Sequence, residues 1–182
     1  MSDAVDIAVV GGTIVDGTGA KGRPGTVVVE GERLRLLPAD AAAPPAGRTI
    51  DATGRIVAPG FIDLHSHGGL VVLDDPRHEP KVRQGVTTEV VGVDGISFVP
   101  FPDRANLEAL IEMDAGLDGA PPIDVDWDSV AGLLGRYDRG TSVNVATLIG
   151  NSALRIAVVG WDDVPAGGSA IDRMRALLRE GM

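Results

Sequence analysis

The chain holds three histidines in 182 residues, and two of them, His65 and His67, stand one residue apart in VAPGFIDLHSHGG, residues 57–69. An imidazole nitrogen binds a divalent metal at about 2.0–2.1 Å, and two imidazoles on same-side positions reach one ion. In an extended chain, residues i and i+2 point the same way, so Asp63, His65 and His67 share a face. The apolar run before them reads as a strand, and the glycines Gly68 and Gly69 let the chain turn away afterwards. The histidines therefore stand at the C-terminal end of a strand, where βα proteins gather functional side chains. Asp63 is placed to accept the free N–H of one ring and so to order it. A bare His-x-His pair is more often two structural or surface histidines. Here the strand end, the apolar run and the glycine pair together favour a metal.

The other short signals carry less. Gly17, Gly19 and Gly22 spell GxGxxG, but the following RPGTVVVEG is a strand and not a helix. No helix N-terminus is then present to hold a pyrophosphate, and the glycines read as a hairpin turn. His78, in DDPRHEP, reads as a surface-helix residue. Asp74 and Asp75 read as capping or rim residues, and DVDWD as an acidic helix start favoured by the helix dipole.

Composition narrows the class. The chain is 44% hydrophobic and only 3% aromatic, so its core is built from aliphatic side chains. The formal net charge of -10 argues against nucleic acid and anionic membrane as partners. The absence of cysteine excludes a disulfide framework and a thiolate zinc site. The acidic start MSDAVDIAVVGG does not read as a signal peptide, and no apolar stretch is long enough to span a bilayer. A cytoplasmic protein is expected.

The elements that must position the histidines follow from periodicity. DIAVVGGTIVDG reads as a hairpin about its Gly-Gly pair. GTVVVEGERLRLL gives two strands about Gly31, residues 38–48 a Pro/Ala-rich loop, and RTIDATGRIVAPG two short strands about Thr53 and Gly54. Beyond Pro59 strands alternate with helices. GFIDLHSH is a strand, and DPRHEPKVRQG a short helix capped by Asp75 and stopped at Gly85. VTTEVVGV is a buried strand. A helix capped by Asp103 follows, with Leu107, Leu110, Ile111 and Leu117 inward. A second helix carries Trp127, Val130, Leu133, Leu134 and Tyr137 on one face. SVNVATLIG is a strand, and a last helix, capped by Ser169 with Asp172 three residues on, turns Ile171, Met174, Leu177 and Leu178 inward. This β-α alternation predicts a parallel sheet with crossover helices.

The residues also carry a resemblance. VAPGFIDLHSH resembles the first-strand signature of the amidohydrolase superfamily of metal-dependent hydrolases. GGTIVDGTGAKGRPGTVVVEGERL, IDATGRIVAPGFID, QGVTTEVVG and NVATLIGNSALRIAVVGW are similar to the N-acyl-D-amino-acid deacylases, or D-aminoacylases. The likeness runs over nearly the whole chain. It implies an α/β fold: the first three βα units of a TIM-type (β/α)8 barrel in residues 58–182, preceded by part of a small β-sandwich in residues 1–57. It places His65 and His67 at a metal site holding one or two divalent ions, zinc above all. Many members have a cysteine ligand where this chain has Asp94. A carboxylate also binds zinc at about 2.0–2.2 Å, and a hard oxygen in place of a thiolate shifts metal preference. Asp94 is otherwise the Asp of an Asp-Gly turn. Asn151 replaces a histidine of a frequent Gly-His-Gly stretch, and Asn151, Ser152 and Arg155 stand as candidates for substrate recognition.

The reaction so implied is hydrolysis of a non-peptide amide in a small N-acyl amino acid. The metal acidifies water toward a pKa of about 7 and polarises the carbonyl, while a carboxylate carries the proton to the departing amine. The family's later histidine ligands and its acid–base aspartate lie on later strands. A full barrel takes about 250 residues, so the chain is expected to be an N-terminal portion that is inactive by itself. Its exposed barrel edge offers a route to self-association. Two other readings stay open: a cyclic-amide hydrolase like dihydroorotases and hydantoinases, and a non-enzymatic fragment that needs a partner chain.

Overall fold

The structure, a computed structural model, describes residues 4–182 and divides into two compact units, one ending at Pro59 and one beginning at Gly60. The first unit is a β-sheet. Its strands are β1 (Val5–Ile14), β2 (Arg23–Glu30), β3 (Arg33–Pro38), β4 (Ala46–Asp51) and β5 (Ile56–Val57). The order is β3-β2-β1-β4, with β5 also on β1. Val5, Ala8 and Val28 form its buried centre.

Two expectations change here. Gly11 and Gly12 do not turn a hairpin; β1 runs straight through them, and its register against β2 shifts between Val9 and Gly12. Gly11 takes φ 76°, so the pair makes a bulge, an irregularity that left-handed glycine permits without ending the strand. The hairpin turn falls instead after Ile14, where Gly17 and Gly19 take φ 80° and 85° in open space. The two short strands after the Pro/Ala loop both exist, but each pairs in parallel with β1 rather than with the other.

The second unit is mixed α/β. A parallel sheet of order β6-β7-β8 contains β6 (Phe61–Asp63), β7 (Val86–Val91) and β8 (Asn144–Thr147). Its helices are α1 (Val71–Asp74), α2 (Glu79–Val82), α3 (Arg104–Asp118), α4 (Val130–Tyr137), α5 (Asn151–Val159) and α6 (Gly168–Glu180). Leu70, Val72, Val99, Phe101, Leu107, Leu110, Trp127 and Leu133 make the core, each at most 5% exposed. Asp103 and Ser129 cap α3 and α4 as their side-chain oxygens accept the N–H of Ala105 and Gly132.

The helical reading between β6 and β7 is corrected. Of the expected span 75–85 only Glu79–Val82 is helical, because His78 adopts a left-handed backbone with φ 44° just before it; a separate single turn, Val71–Asp74, precedes the span and has Asp75 as its C-cap. Helix α5 was missed: its Ile156, Val158 and Val159 weigh toward strand, and no side chain caps its start. Ser169 lies inside α6, whose N-cap is Gly167. Leu117 is 55% exposed rather than inward, and only Ala170 of α6 is buried. The edge strand β6 leaves Phe61 and Ile62, and Leu64 just beyond it, 60–72% exposed.

The loops that follow β7 and β8 pack backbone against backbone. A Cβ on Gly150 would drive into the carbonyl of Gly95 and approach the amide of Ser97 within 2.9 Å. The Gly150 N–H donates to Ser97 Oγ at 2.9 Å, and that hydroxyl donates to the Val99 carbonyl at 2.5 Å. Gly150→Ala should therefore destabilise the fold by about 1–3 kcal/mol or more. Urea denaturation followed by circular dichroism checks this; an unchanged midpoint would refute the close packing.

Candidate metal centre

Strand β6 ends at Asp63, and the two histidines lie just past it. The parallel pairing continues one step further, as the Ser66 N–H donates to the Val90 carbonyl at 3.0 Å. The turn between brings both rings together, with centroids 5.4 Å apart and planes at 59°. Asp94 arrives from the loop after β7. Its backbone is left-handed, with φ 56°, a conformation Asp tolerates better than most residues. Gly92 precedes it with φ 77°, and a Cβ there would strike the Leu148 carbonyl. The chain thus turns sharply twice to present one carboxylate.

The result is compact. Asp94 Oδ2 lies 3.1 Å from His65 Nε2 and 3.4 Å from His67 Nε2. Among the described residues this is the one group of histidine and carboxylate ligand atoms that could share an ion, all within 4.8 Å. Tetrahedral ligands about 2.05 Å from an ion are separated by about 3.3 Å, so the two measured spacings match edges of such a polyhedron. Two nitrogens and one carboxylate oxygen are also a donor set that divalent zinc accepts. The residues fit a metal.

Behind the cluster stands a carboxylate that sequence reasoning missed. His67 Nδ1 lies 3.1 Å from Asp118 Oδ1 at the end of α3. With its proton on Nδ1 the ring donates to Asp118 and keeps the Nε2 lone pair toward Asp94. Burial pushes the Asp118 carboxyl up to about 7, helped by the hydrogen bond and negative charge of Asp114, while His67 pulls the other way. Asp114 sits one helical turn earlier, and its Oδ2 is buried without a partner. The spacing of four in DAGLD was the available signal, hidden because Asp118 closes a helix read only for its apolar face.

Asp63 acts differently from expectation. It touches neither ring. Its Oδ1 accepts the backbone N–H of His65 at 3.1 Å, and its Oδ2 accepts Lys81 Nζ. Lys81, and then the His65 amide, hold the Asp63 carboxyl below its ordinary range. Lys81 also donates to Ser66 Oγ at 3.3 Å and reaches Glu89 Oε1 at 3.1 Å. Burial disfavours its charged form, but Asp63 and Glu89 outweigh that and raise its pKa. His78 is not at the surface: it is 6% exposed, with Nε2 3.1 Å from Glu89 Oε1. Glu89 itself is fully buried in the middle of β7.

The recognition candidates divide. Asn151 and Ser152 open α5 beside the Asp94 loop, where the Ser152 N–H donates to the Gly95 carbonyl at 2.9 Å. Arg155 does not face the cluster; its guanidinium donates to the carbonyls of Gly160, Asp162 and Val164 and so holds the loop after α5.

Comparison with known proteins supplies the family. The amidohydrolase family model matches residues 48–181. An N-acyl-D-glutamate deacylase of Alcaligenes xylosoxydans xylosoxydans is 37% identical over 179 residues, which cover 98% of this chain and 35% of that protein. A D-aminoacylase of the same organism is 35% identical over 184 residues, covering 100% of this chain and 36% of its own. The crystal structure of N-acyl-D-glutamate deacylase from Bordetella bronchiseptica, complexed with zinc and a phosphonate mimic of the tetrahedral intermediate, superposes with a TM-score of 0.81. It is 33% identical, and the match covers 98% of this chain and 36% of that one. The chain thus spans about a third of the length of these relatives. With the match over most of its residues, the chain belongs to the amidohydrolase family.

Proposed function

We propose that this chain carries the metal-binding first part of an enzyme that removes the acyl group from N-acyl-D-amino acids. The observation that carries the reading is the convergence of His65, His67 and Asp94 at the carboxyl ends of two adjacent parallel strands. The relatives named above as N-acyl-D-glutamate deacylase and D-aminoacylase supply the reaction class. On this reading β6, β7 and β8 are the first three strands of a (β/α)8 barrel, and β1–β5 are part of a β-sandwich. The exposed Phe61, Ile62 and Leu64 of the β6 edge are then the apolar surface that a further strand covers.

When bound, a divalent cation polarises an amide carbonyl and lowers the pKa of water toward about 7. The protein's part is placement. His65 and His67 present Nε2 lone pairs, Asp118 fixes the His67 ring through Nδ1, and Asp94 supplies negative charge that attracts the cation. Zinc suits the two imidazoles, and Asp94, a carboxylate where the resemblance implies a cysteine, favours harder ions more than a thiolate would. Asn151 and Ser152, beside the Asp94 loop, are placed to meet the substrate.

The protein as its host makes it should release free D-amino acid from N-acetyl-D-amino acids in a chelator-sensitive reaction that His65→Ala abolishes. Hydrolysis of hydantoins or dihydroorotate instead would favour the cyclic-amide reading, and chelator-insensitive turnover would overturn the metal reading.

A second expectation separates stability from function at Asp94. Its left-handed backbone costs about 1 kcal/mol in a non-glycine residue. Asp94→Gly should therefore melt no lower than the parent and yet bind zinc far more weakly, as thermal unfolding and calorimetric titration would show. A variant that kept the parent's zinc affinity would remove Asp94 from the donor set.

A further inference from the structure

Asp63 and Glu89 are direct partners in the parallel register of β6 and β7. Paired residues on adjacent strands project to the same face, so two carboxylates stand side by side. Like charges in that position push strands apart. The repulsion acts where it matters for the candidate metal centre: His65 and His67 follow Asp63 by two and four residues, and Asp94 follows Glu89 by five. Any opening between β6 and β7 separates the histidines from the carboxylate.

One ammonium group sits between the two. Lys81 Nζ donates to Asp63 Oδ2, lies 3.1 Å from Glu89 Oε1, and donates to the hydroxyl of Ser66, the residue between the histidines. Lys81 comes from α2, so helix, edge strand and central strand meet in one charge-assisted junction. His78, from the turn that begins α2, adds a further contact to Glu89 Oε1. The packing leaves no slack. A Cβ on Gly68 would lie 3.0 Å from Glu89 Oε2, 3.2 Å from Ser66 Oγ and 3.3 Å from His78 Cε1.

Resting on the metal reading above, we infer that Lys81 is a positioning residue that cancels the Asp63–Glu89 repulsion and so sets the spacing between the two histidines and Asp94. It touches no metal ligand side chain; it acts through the strand pair and through the Ser66 hydroxyl. A simple packing role for the lysine makes a different forecast. If the ammonium matters because it offsets two carboxylates, removing one of their charges compensates for its loss; if only its bulk matters, nothing is recovered.

The experiment compares the parent, Lys81→Met, and the double variant Lys81→Met with Asp63→Asn, whose amide oxygen still accepts the His65 N–H. Each is read twice, by Co2+ affinity in calorimetric titration and by metal-free melting temperature. Lys81→Met should lose about 10–100-fold in affinity and melt lower, and the double variant should recover most of both. Parent-like affinity and melting in Lys81→Met, or a double variant no better than the single, overturns the inference. If Lys81→Met fails to fold, a folded double variant supports the inference and an unfolded one overturns it. A parent that binds no Co2+ overturns the metal reading alone, and the inference then stands or falls on recovery of the melting temperature.

Discussion

The constraint on which the second unit depends is the burial of a carboxylate in the middle of its sheet. Glu89 has no exposed surface, and a lone ionised carboxylate in such a place is costly enough to unfold a small domain. The fold answers by bringing cations and donors to it. Helix α2 is placed so that Lys81 and His78 both reach Oε1, and the backbone of His78 takes a left-handed conformation on the way. The charge of Glu89 extends to Tyr137, whose phenol pKa is raised first by burial and then by that charge, so its hydroxyl stays a donor to the Gly69 carbonyl. In this way one strand residue organises the turn that carries both neighbouring histidines. Buried ion pairs of this kind are poor sources of net stability, because desolvation offsets attraction. What they supply is a single arrangement: the group cannot move away from its partners without exposing an uncompensated charge.

A second requirement is backbone proximity. The segments after β7 and β8 touch through Gly92 against Leu148 and Gly150 against Gly95, so main chain packs on main chain there, with the Ser97 hydroxyl joining the two loops. Asp94 stands between the two contacts, half exposed and left-handed. Non-glycine residues in that conformation persist where the surroundings over-determine them, and they cluster at functional sites.

How much of this was legible follows from the range of each signal. His65 and His67 declared themselves by spacing, by the apolar run before them and by the glycines after. The three parallel strands showed in their β-branched runs, α3 in periodic leucines with a capping Asp103, and α4 in its apolar face. What failed was local propensity against tertiary context. Gly11 and Gly12 spell a turn to anything that reads only neighbours, yet the strand continues because β2, β4 and β5 all pair with it. Helix α5 is rich in β-branched residues and forms because Ala153, Leu154 and Ile156 find the core. The polar network was illegible for another reason. Nothing in VTTEVVGV marks Glu89 as buried, since its partners lie at different distances along the chain and only the register of β6 on β7 brings Asp63 opposite. Asp63 has other partners than the expected imidazole. Strand alternation predicted that it shares a face with the rings, but β6 ends at that residue and its carboxylate meets an amide and an ammonium instead.

The use of carboxylate at position 94 completes the physical picture. A thiolate ligand needs its pKa lowered to be present at neutral pH, whereas an aspartate is ionised there without help. That difference changes what the surroundings must do. A cysteine at a metal site calls for positive charge or a bound cation to deprotonate it. An aspartate brings its charge with it, and a cation seated among Asp94 and the two imidazole nitrogens 3.1 and 3.4 Å from it would balance that charge. The neighbouring carboxylates sharpen the point. Asp63 and Glu89 share the single ammonium of Lys81, and Asp118 is held toward its protonated form by burial and by Asp114. Among the described acidic groups at this end of the sheet, Asp94 is the one whose carboxylate faces both rings.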